Sequence, residues 1–144
     1  MSVPYRIRLS DYRNIVILTG AGVSTASGIP AFRGEGGLWT DPEHVALSGK
    51  EALDENPEKV WAFFRERHQI AADAQPNAAH QALAEWERRV TQAQRGFTLI
   101  TQNIDGLHLQ AGSRNVIEYH GSLRKVRCAA CNASPVTLEA GWPA

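Results

Sequence analysis

The chain has 144 residues, of which 43% are hydrophobic, and its 15 Lys and Arg balance 15 Asp and Glu. This length suits one domain with a single core. A net charge of zero argues against nucleic acid or an acidic membrane as a partner, because both attract clustered positive charge. The longest aliphatic run, Ile15 to Leu18, is far shorter than the ~20 residues that span a bilayer. With no apolar signal core at the N-terminus either, we expect a cytoplasmic protein.

Three apolar blocks predict the strands of a parallel sheet: 14–19, 97–101 and 116–119. The first two blocks are continuous rather than alternating, which is typical of strands covered on both faces. A long helical connection separates the first block from the second, and a short helix at 107–111 separates the second from the third. This order predicts an α/β fold with right-handed crossovers.

Two amphipathic helices are predicted between the first two strands. Asn56 and Pro57 form a start signal for the first helix. Its shared face carries Val60, Phe63, Phe64, Arg67, Ile70 and Ala71. Pro76 and Asn77 end that helix and cap the second. The apolar stripe of the second comprises Ala79, Leu83, Trp86 and Val90. The segment from 24 to 40 is predicted to be a short helical turn followed by a long loop, a feature that is usually functional.

A polar or glycine-rich cluster follows each predicted strand: residues 20–24, residues 102–105 and His120. Because the carboxyl ends of parallel strands open on one crevice, these clusters should face a common pocket. Gly20 and Gly22 would let backbone N–H groups approach a phosphate closely, although a plain strand-to-helix turn explains them equally well. Asn103 and Asp105 could hold ribose hydroxyls or a carboxamide.

Local sequence alone favours a simpler role for Asp105, an Asx turn in which it caps the next helix. His120 lies at a strand end before a glycine, and the usual pKa of ~6.5 suits a general base near neutrality. For the remaining histidines we expect surface or packing roles, with His80 ordering the helix start that follows Asn77. These four are His44, His68, His80 and His108.

Cys128 and Cys131 have the spacing of half a tetrahedral zinc site. The sequence contains two Cys in all, so a complete four-cysteine site cannot be built from this chain. A redox pair is the alternative, but the motif does not follow a strand as it does in thioredoxins. We therefore rank an incomplete zinc site above a redox pair.

Taken together, these segments resemble the sirtuin family of NAD-dependent protein-lysine deacylases, and the resemblance is class III-like. The matching stretches are residues 20–33, 101–105, 120–122 and 128–131. The resemblance implies a Rossmann-like parallel sheet with a helical insertion and the start of a small zinc-binding module. Their expected extents are 8–55 and 97–121 for the Rossmann-like part, 56–95 for the insertion and 122–144 for the zinc module.

The resemblance also implies a role for each matching residue. Contacts with NAD are expected for Gly20, Ala21, Gly22, Ser24, Pro30, Ala31, Phe32, Arg33, Trp39, Gln102, Asn103, Ile104 and Asp105. His120 would be the general base, and Cys128 and Cys131 would be two of four Zn²⁺ ligands. The implied substrate is an acylated lysine of a protein, whose acyl group is transferred to ADP-ribose with release of nicotinamide.

Phe64 and Arg67 bear on the acyl group. Sirtuins that remove succinyl or malonyl groups carry a Tyr and an Arg three positions apart on this helix, where the pair binds the acyl carboxylate. Here Phe replaces the Tyr, which removes one hydrogen-bond donor worth ~1–2 kcal/mol. We expect a weakened preference for negatively charged acyl groups relative to acetyl. The simpler interpretation places Phe64 in the core and Arg67 at its edge.

Two other functions remain possible. NAD glycohydrolase or ADP-ribosyltransferase activity could use the same scaffold. Alternatively, the chain could be an inactive fragment with at most weak nucleotide binding. A doubly wound dinucleotide fold needs two βαβαβ halves, and each βαβ unit takes ~30 residues or more. We expect 144 residues to form the N-terminal part of a larger enzyme, with the C-terminal part of the fold missing. Such a chain would bind zinc and NAD poorly and expose apolar surface.

Overall fold

A computed structural model of the chain describes residues 8–34 and 36–138. Its centre is a parallel sheet in the order β1 (Asn14–Thr19), β2 (Gly96–Thr101), β3 (Val116–Glu118). The register pairs Asn14 with Gly96 and Thr19 with Thr101. The predicted strands and their parallel arrangement are confirmed, and the two central strands end level with each other.

Four helices connect β1 to β2: α1 (Pro42–Leu47), α2 (Lys50–Glu55), α3 (Pro57–Asp73) and α4 (Ala78–Gln92). Both predicted caps form, since the side chain of Asn56 accepts from the Lys59 N–H at 3.2 Å and that of Asn77 from the Ala79 N–H at 2.9 Å. The short helices α1 and α2 were not predicted. The helix predicted between the second and third strands is present as α5 (Leu107–Gln110).

The core lies between α4 and one face of the sheet. Ile15, Val90, Phe97 and Leu99 are buried together, and the Trp86 ring packs edge-on against Phe97 with 5.7 Å between centroids. The predicted stripe on α4 was wrong at Ala79, which is exposed. His80 takes the inward position instead, because residues 80, 83, 87 and 90 follow the helical repeat on the buried side. The division of the chain into 8–55, 56–95 and 97–121 stays a prediction.

The opposite face of the sheet is open. Val16 and Leu18 on β1 are 62% and 65% exposed, and Ile117 on β3 is also exposed. The expectation that the continuous apolar run is covered on both faces is therefore wrong for the described residues. The burial alternates along β1 because α4 packs on one side only, while no described element covers these side chains on the other.

A buried carboxylate fixes where β3 begins. The side chain of Glu87 on α4 accepts hydrogen bonds from the backbone N–H groups of Arg114 at 2.9 Å and Asn115 at 2.7 Å. Asn115 in turn donates from its side chain to the Phe97 carbonyl at 2.6 Å. These bonds tie the start of β3 both to α4 and to β2, and so determine where the segment after β3 emerges.

A small antiparallel hairpin follows the sheet. It pairs β4 (Lys125–Val126) with β5 (Val136–Thr137), and the two cysteines lie between these strands. Sequence periodicity predicted no element after Cys131, because two-residue strands are too short to show an alternation. Among the described residues, none of the helices has the length and apolar character needed to cross a membrane.

A pair of identical substitutions tests which face of the sheet carries the core. Leu99 is 0% exposed and Leu18 is 65% exposed. We expect Leu99→Ala to lower the free energy of unfolding by about 3 kcal/mol through loss of buried contacts and creation of a cavity, and Leu18→Ala to lower it by less than about 1 kcal/mol. Urea unfolding of both variants measures the difference, and equal losses would contradict this assignment.

Candidate active site

The turn after β1 brings backbone up to an open space. Gly20 has an extended conformation, and Ala21–Ser27 forms a 3-10 helix that ends at Gly28, which is left-handed with φ 86°. This agrees with the predicted short helical turn. A Cβ built on Gly22 would have no heavy atom within 4 Å. The backbone of this turn therefore leaves room for a ligand to approach.

A buried polar cluster joins the ends of β1 and β2. Ser24 Oγ donates to Asp105 Oδ2 at 2.7 Å and accepts from Asn103 Nδ2 at 3.0 Å. All three residues are buried. Asn103 Oδ1 is also buried and has no hydrogen-bond partner among the described residues. An acceptor of this kind is costly to bury unless something donates to it, so its position favours a ligand that carries an N–H or O–H group.

Asp105 also has the local role expected from the sequence. Its Oδ1 accepts from the Leu107 N–H at 2.9 Å, which is an Asx turn at the start of α5. The cap position itself is Gly106, which is left-handed with φ 76°. The two interpretations of Asp105 are compatible, because one carboxylate oxygen supports the turn and the other accepts from Ser24.

His80 links this cluster to the start of α4. Its Nδ1 accepts from the Asn77 N–H at 3.3 Å, as expected for a residue that orders the helix start. The neutral ring then carries its proton on Nε2, which lies 3.5 Å from Ser24 Oγ. Burial lowers the pKa of His80, although the nearby Asp105 opposes the shift. His80 therefore stays neutral and aims an N–H at the serine.

His108 has a packing role, as the sequence allowed, but its place in this cluster was not predicted. Its ring is buried 4.7 Å from the His80 ring, and its Nε2 lies 2.9 Å from Thr19 Oγ1 at the end of β1. Burial, followed by the neighbouring His80, lowers the pKa of His108 to about 4 against the opposing effect of Asp105. His108 lies three residues after Asp105, on the buried side of α5. This spacing was the one feature of the sequence that could have indicated its burial.

A cavity of about 830 Å³ opens beside the cluster. The walls combine the first turn, the loop that follows it, the segment after β2 and His120. The lining residues are Ala21, Gly22, Ala31, Phe32, Arg33, Trp39, Ser48, Phe64, Gln102, Asn103, Ile104 and His120. The predicted convergence of the strand ends on one pocket is confirmed. Gly20 stands just behind this wall, with its Cβ position 4.0 Å from Gln102 Oε1.

A smaller cavity of about 70 Å³ adjoins the first and shares Ala21, Phe32, Asn103 and Ile104 with it. Its walls add Ser24, Pro30, Asp105 and a face of α3. On that face, Phe64 and Arg67 point toward the cavity as the helical spacing predicts. Every predicted cofactor residue except Gly20 lines one or both of these two adjoining cavities.

Arg67 is a nearly buried cation in this apolar surrounding. Its side chain is 13% exposed, and its guanidinium carbon lies 5.0 Å above the Phe63 ring. The Nε atom is buried without a hydrogen-bond partner among the described residues. The carboxylate of Glu66 lies 3.7 Å from the outer nitrogen, beyond hydrogen-bond distance. Arg67 Nε is thus an unpaired, buried donor in a residue that lines the small cavity.

The cysteine pair lies away from the cavities and is exposed, with both thiols free. Hydrogen bonds to Cys128 from the Ala130 N–H, the Cys131 thiol and the Cys131 N–H lower the pKa of its thiol. Such a turn suits thiolate ligands. The described residues contain no group of three or more His, Cys, Asp or Glu that could hold a metal ion. A complete zinc site is therefore not formed by the part of the chain that the structure describes.

Comparison with known proteins decides the family. Residues 20–140 match the Sir2 family. The chain belongs to the Sir2 family. The resemblance to sirtuins is thereby confirmed, and the Rossmann-like parallel sheet is the fold that the solved Sir2 structures share with it.

Individual Sir2 proteins show how much of the family fold the chain covers. A NAD-dependent protein deacylase of Thermus thermophilus is 48% identical over 126 residues, covering 88% of this chain and 50% of the relative. The mitochondrial NAD-dependent protein deacylase sirtuin-5 of Xenopus tropicalis is 45% identical over 129 residues, which cover 90% of this chain and 42% of that relative. The solved NAD complex of a Sir2 homolog superposes with a TM-score of 0.77 at 48% identity, covering 93% and 50%. The chain spans about half the length of the curated relatives it matches.

The buried histidine pair predicts an acid-sensitive fold. The pKa of His108 is about 4 in the folded chain and that of His80 is lowered as well, so the unfolded chain binds more protons below its pKa of ~6.5. The free energy of unfolding should have its full value above about pH 6.5. It should fall by up to about 3 kcal/mol as the pH drops toward 4. Thermal unfolding across this range measures the loss.

Two variants isolate this contribution. His108→Gln keeps a polar group that can reach Thr19 but does not titrate, so its stability should depend less steeply on pH between 6.5 and 5. His44→Gln changes a half-buried histidine outside the cluster, which bonds to the Leu38 carbonyl at 3.1 Å, and should leave the slope unchanged. An unchanged slope in His108→Gln would contradict the assignment.

Proposed function

We propose that the chain forms the NAD-binding and acyl-lysine-binding part of a protein-lysine deacylase. The observation that carries this proposal is the unpartnered, buried Asn103 Oδ1 beside the Ser24–Asp105 pair, on the wall of the cavity that also contains His120 and Arg33. The Thermus and Xenopus relatives, whose names describe NAD-dependent protein deacylases, support it.

The residues present fit a dinucleotide. The open space above Gly22 admits close approach to the backbone, and Arg33 places a cation on the wall of the same cavity. Asn103 and Asp105 offer an amide oxygen and a carboxylate deeper in the site, where a carboxamide or ribose hydroxyl would find partners. NAD, when bound, supplies a ribose carbon whose bond to nicotinamide can be broken.

In this proposal His120 is the general base. It is exposed at the wall of the large cavity and lies two residues after β3, whose start is held by the side chain of Glu87. An imidazole there can accept a proton from a hydroxyl in the cavity. Phe64 and Ile104 line the same part of the wall and exclude water from the acyl-lysine side.

Nicotinamide release is the experiment that tests the function. In a form as long as the curated relatives, mixing with NAD and an acetyl-lysine peptide should release nicotinamide together with deacylated peptide. His120→Gln should slow this about 100-fold or more while changing the affinity for ADP-ribose less than threefold. His44→Gln serves as the control and should retain the wild-type rate.

Other outcomes would replace this function. Release of nicotinamide without peptide would indicate a NAD glycohydrolase or ADP-ribosyltransferase on the same scaffold. Failure of the 144-residue chain to bind ADP-ribose or release nicotinamide, where the longer form does both, would support the interpretation as an inactive fragment.

We further propose that acetyl-lysine is preferred over succinyl-lysine. Activity toward the charged succinyl group would be weakened but not abolished. Arg67 is nearly buried and has an unpartnered Nε, so a carboxylate in the small cavity would pair with it. Phe64 supplies no hydroxyl to share that carboxylate. A single cation with one missing donor should tolerate succinyl-lysine without selecting it.

The substitution Phe64→Tyr tests this specificity. Adding the phenol should raise the ratio of succinyl to acetyl kcat/KM about fivefold to thirtyfold, the equivalent of ~1–2 kcal/mol for one hydrogen bond to a charged group. Arg67→Met should lower the same ratio, and Arg67→Lys should recover part of it, because Lys keeps the charge but cannot pair bidentately. A strong succinyl preference in the unmodified protein would refute the proposal.

A further inference from the structure

The loop between Gly28 and Thr40 folds back on itself at its far end. The Leu38 N–H donates to the Ala31 carbonyl at 2.9 Å, and the Trp39 N–H donates to the Phe32 carbonyl at 2.8 Å. Gly37 lies at the crossing, where a Cβ would come 2.9 Å from the Phe32 oxygen. Only glycine fits there without a shift, so the sequence itself supports this closed shape and brings Trp39 back to the start of the loop.

The closure stacks Arg33 on Trp39. The guanidinium carbon of Arg33 lies 4.7 Å from the centroid of the Trp39 ring, and the Phe32 ring packs on the same indole at 5.5 Å. All three side chains line the large cavity, and Arg33 is the one Lys or Arg among its described lining residues. The two backbone hydrogen bonds fix the loop but not the guanidinium, so the position of this single cation depends on its contact with the Trp39 ring.

A stacked guanidinium can still bind an anion. A guanidinium that lies over an aromatic ring keeps its N–H groups in its own plane, where they can still pair with phosphate oxygens. Tryptophan gives the strongest cation–π contact of the aromatic residues. An arginine that is held in place before binding loses less conformational freedom when the anion arrives.

We propose that Trp39 is a positioning residue, which holds the Arg33 guanidinium toward the anionic diphosphate of a dinucleotide ligand rather than contacting that ligand itself. This inference rests on the proposed NAD-binding function. The indole would then affect the affinity for the ligand only by positioning Arg33.

A double-mutant cycle with ADP-ribose as the probe separates an indirect from a direct role. Affinities are measured by NMR titration of the 144-residue chain. Trp39→Ala should weaken binding about threefold to tenfold. In an Arg33→Met background, where the side chain keeps its length but has no charge, the same change should weaken binding less than twofold. Trp39→Phe should recover most of the affinity, because a ring still supports the cation.

The matched control is Trp61→Ala on α3. Trp39 and Trp61 are both 39% exposed, so both substitutions remove the same group from a similar degree of burial. Trp61 borders a surface groove with Leu53 and Pro57 rather than the large cavity. Its replacement should leave the affinity for ADP-ribose unchanged.

A ligand-free measurement distinguishes failure of this inference from failure of the proposed function. In the free chain, the δ-methylene protons of Arg33 should be shifted upfield by the indole ring current and should lose that shift in Trp39→Ala. Absence of the shift would overturn the stack whatever the ligand does. Equal weakening by Trp39→Ala in both backgrounds would show direct contact with the ligand and overturn the positioning role. No binding by the unmodified chain would overturn the proposed function instead.

Discussion

The hydrogen bond from Ser24 to Asp105 is the contact on which the arrangement of the site depends. It forms because the register pairs Thr19 with Thr101, so that the turns after β1 and β2 leave the sheet side by side. Both oxygens of Asp105 accept hydrogen bonds, one from Ser24 and one from the Leu107 N–H. Removal of either donor would leave one oxygen of this buried carboxylate without a hydrogen bond, which is costly in a buried position.

Helix α4 connects the packed core to this hydrogen bond. Val90, near its C-terminal end, packs in the core with Phe97, and Glu87 holds the backbone at the start of β3. At its N-terminal end, His80 accepts from Asn77 and directs its other nitrogen toward Ser24. One helix therefore sets the positions of the first turn and of β3 together. Side chains that must meet within a few tenths of an ångström are supported by a packed element rather than by loops.

Local patterns predicted the elements of this fold, and contacts between distant segments explain what was missed. The caps at Asn56 and Asn77 and the alternation of strands and helices along the chain follow from short-range rules that the sequence displays directly. The position of His80 after Asn77 predicted its role at the helix start but not its approach to Ser24, which lies far away in the chain. The burial of His108 likewise depends on contacts with His80 and Thr19, which are distant in sequence. The continuous apolar run in β1 likewise reports a strand suited to two covered faces, although the described residues cover one.

Charge is distributed unequally along the two adjoining cavities, and this has a consequence for the proposed function. Arg33 stands on the wall of the large cavity and Asp105 on that of the small one, with Asn103 shared between them. A dinucleotide such as NAD has the complementary distribution, an anionic diphosphate and a nicotinamide ring that is cationic while it is attached to ribose. Reversed binding would set the diphosphate against the buried carboxylate of Asp105, which is an unfavourable contact between like charges. Under the proposed function, Arg33 and Asp105 would therefore favour one orientation of the dinucleotide over the reverse.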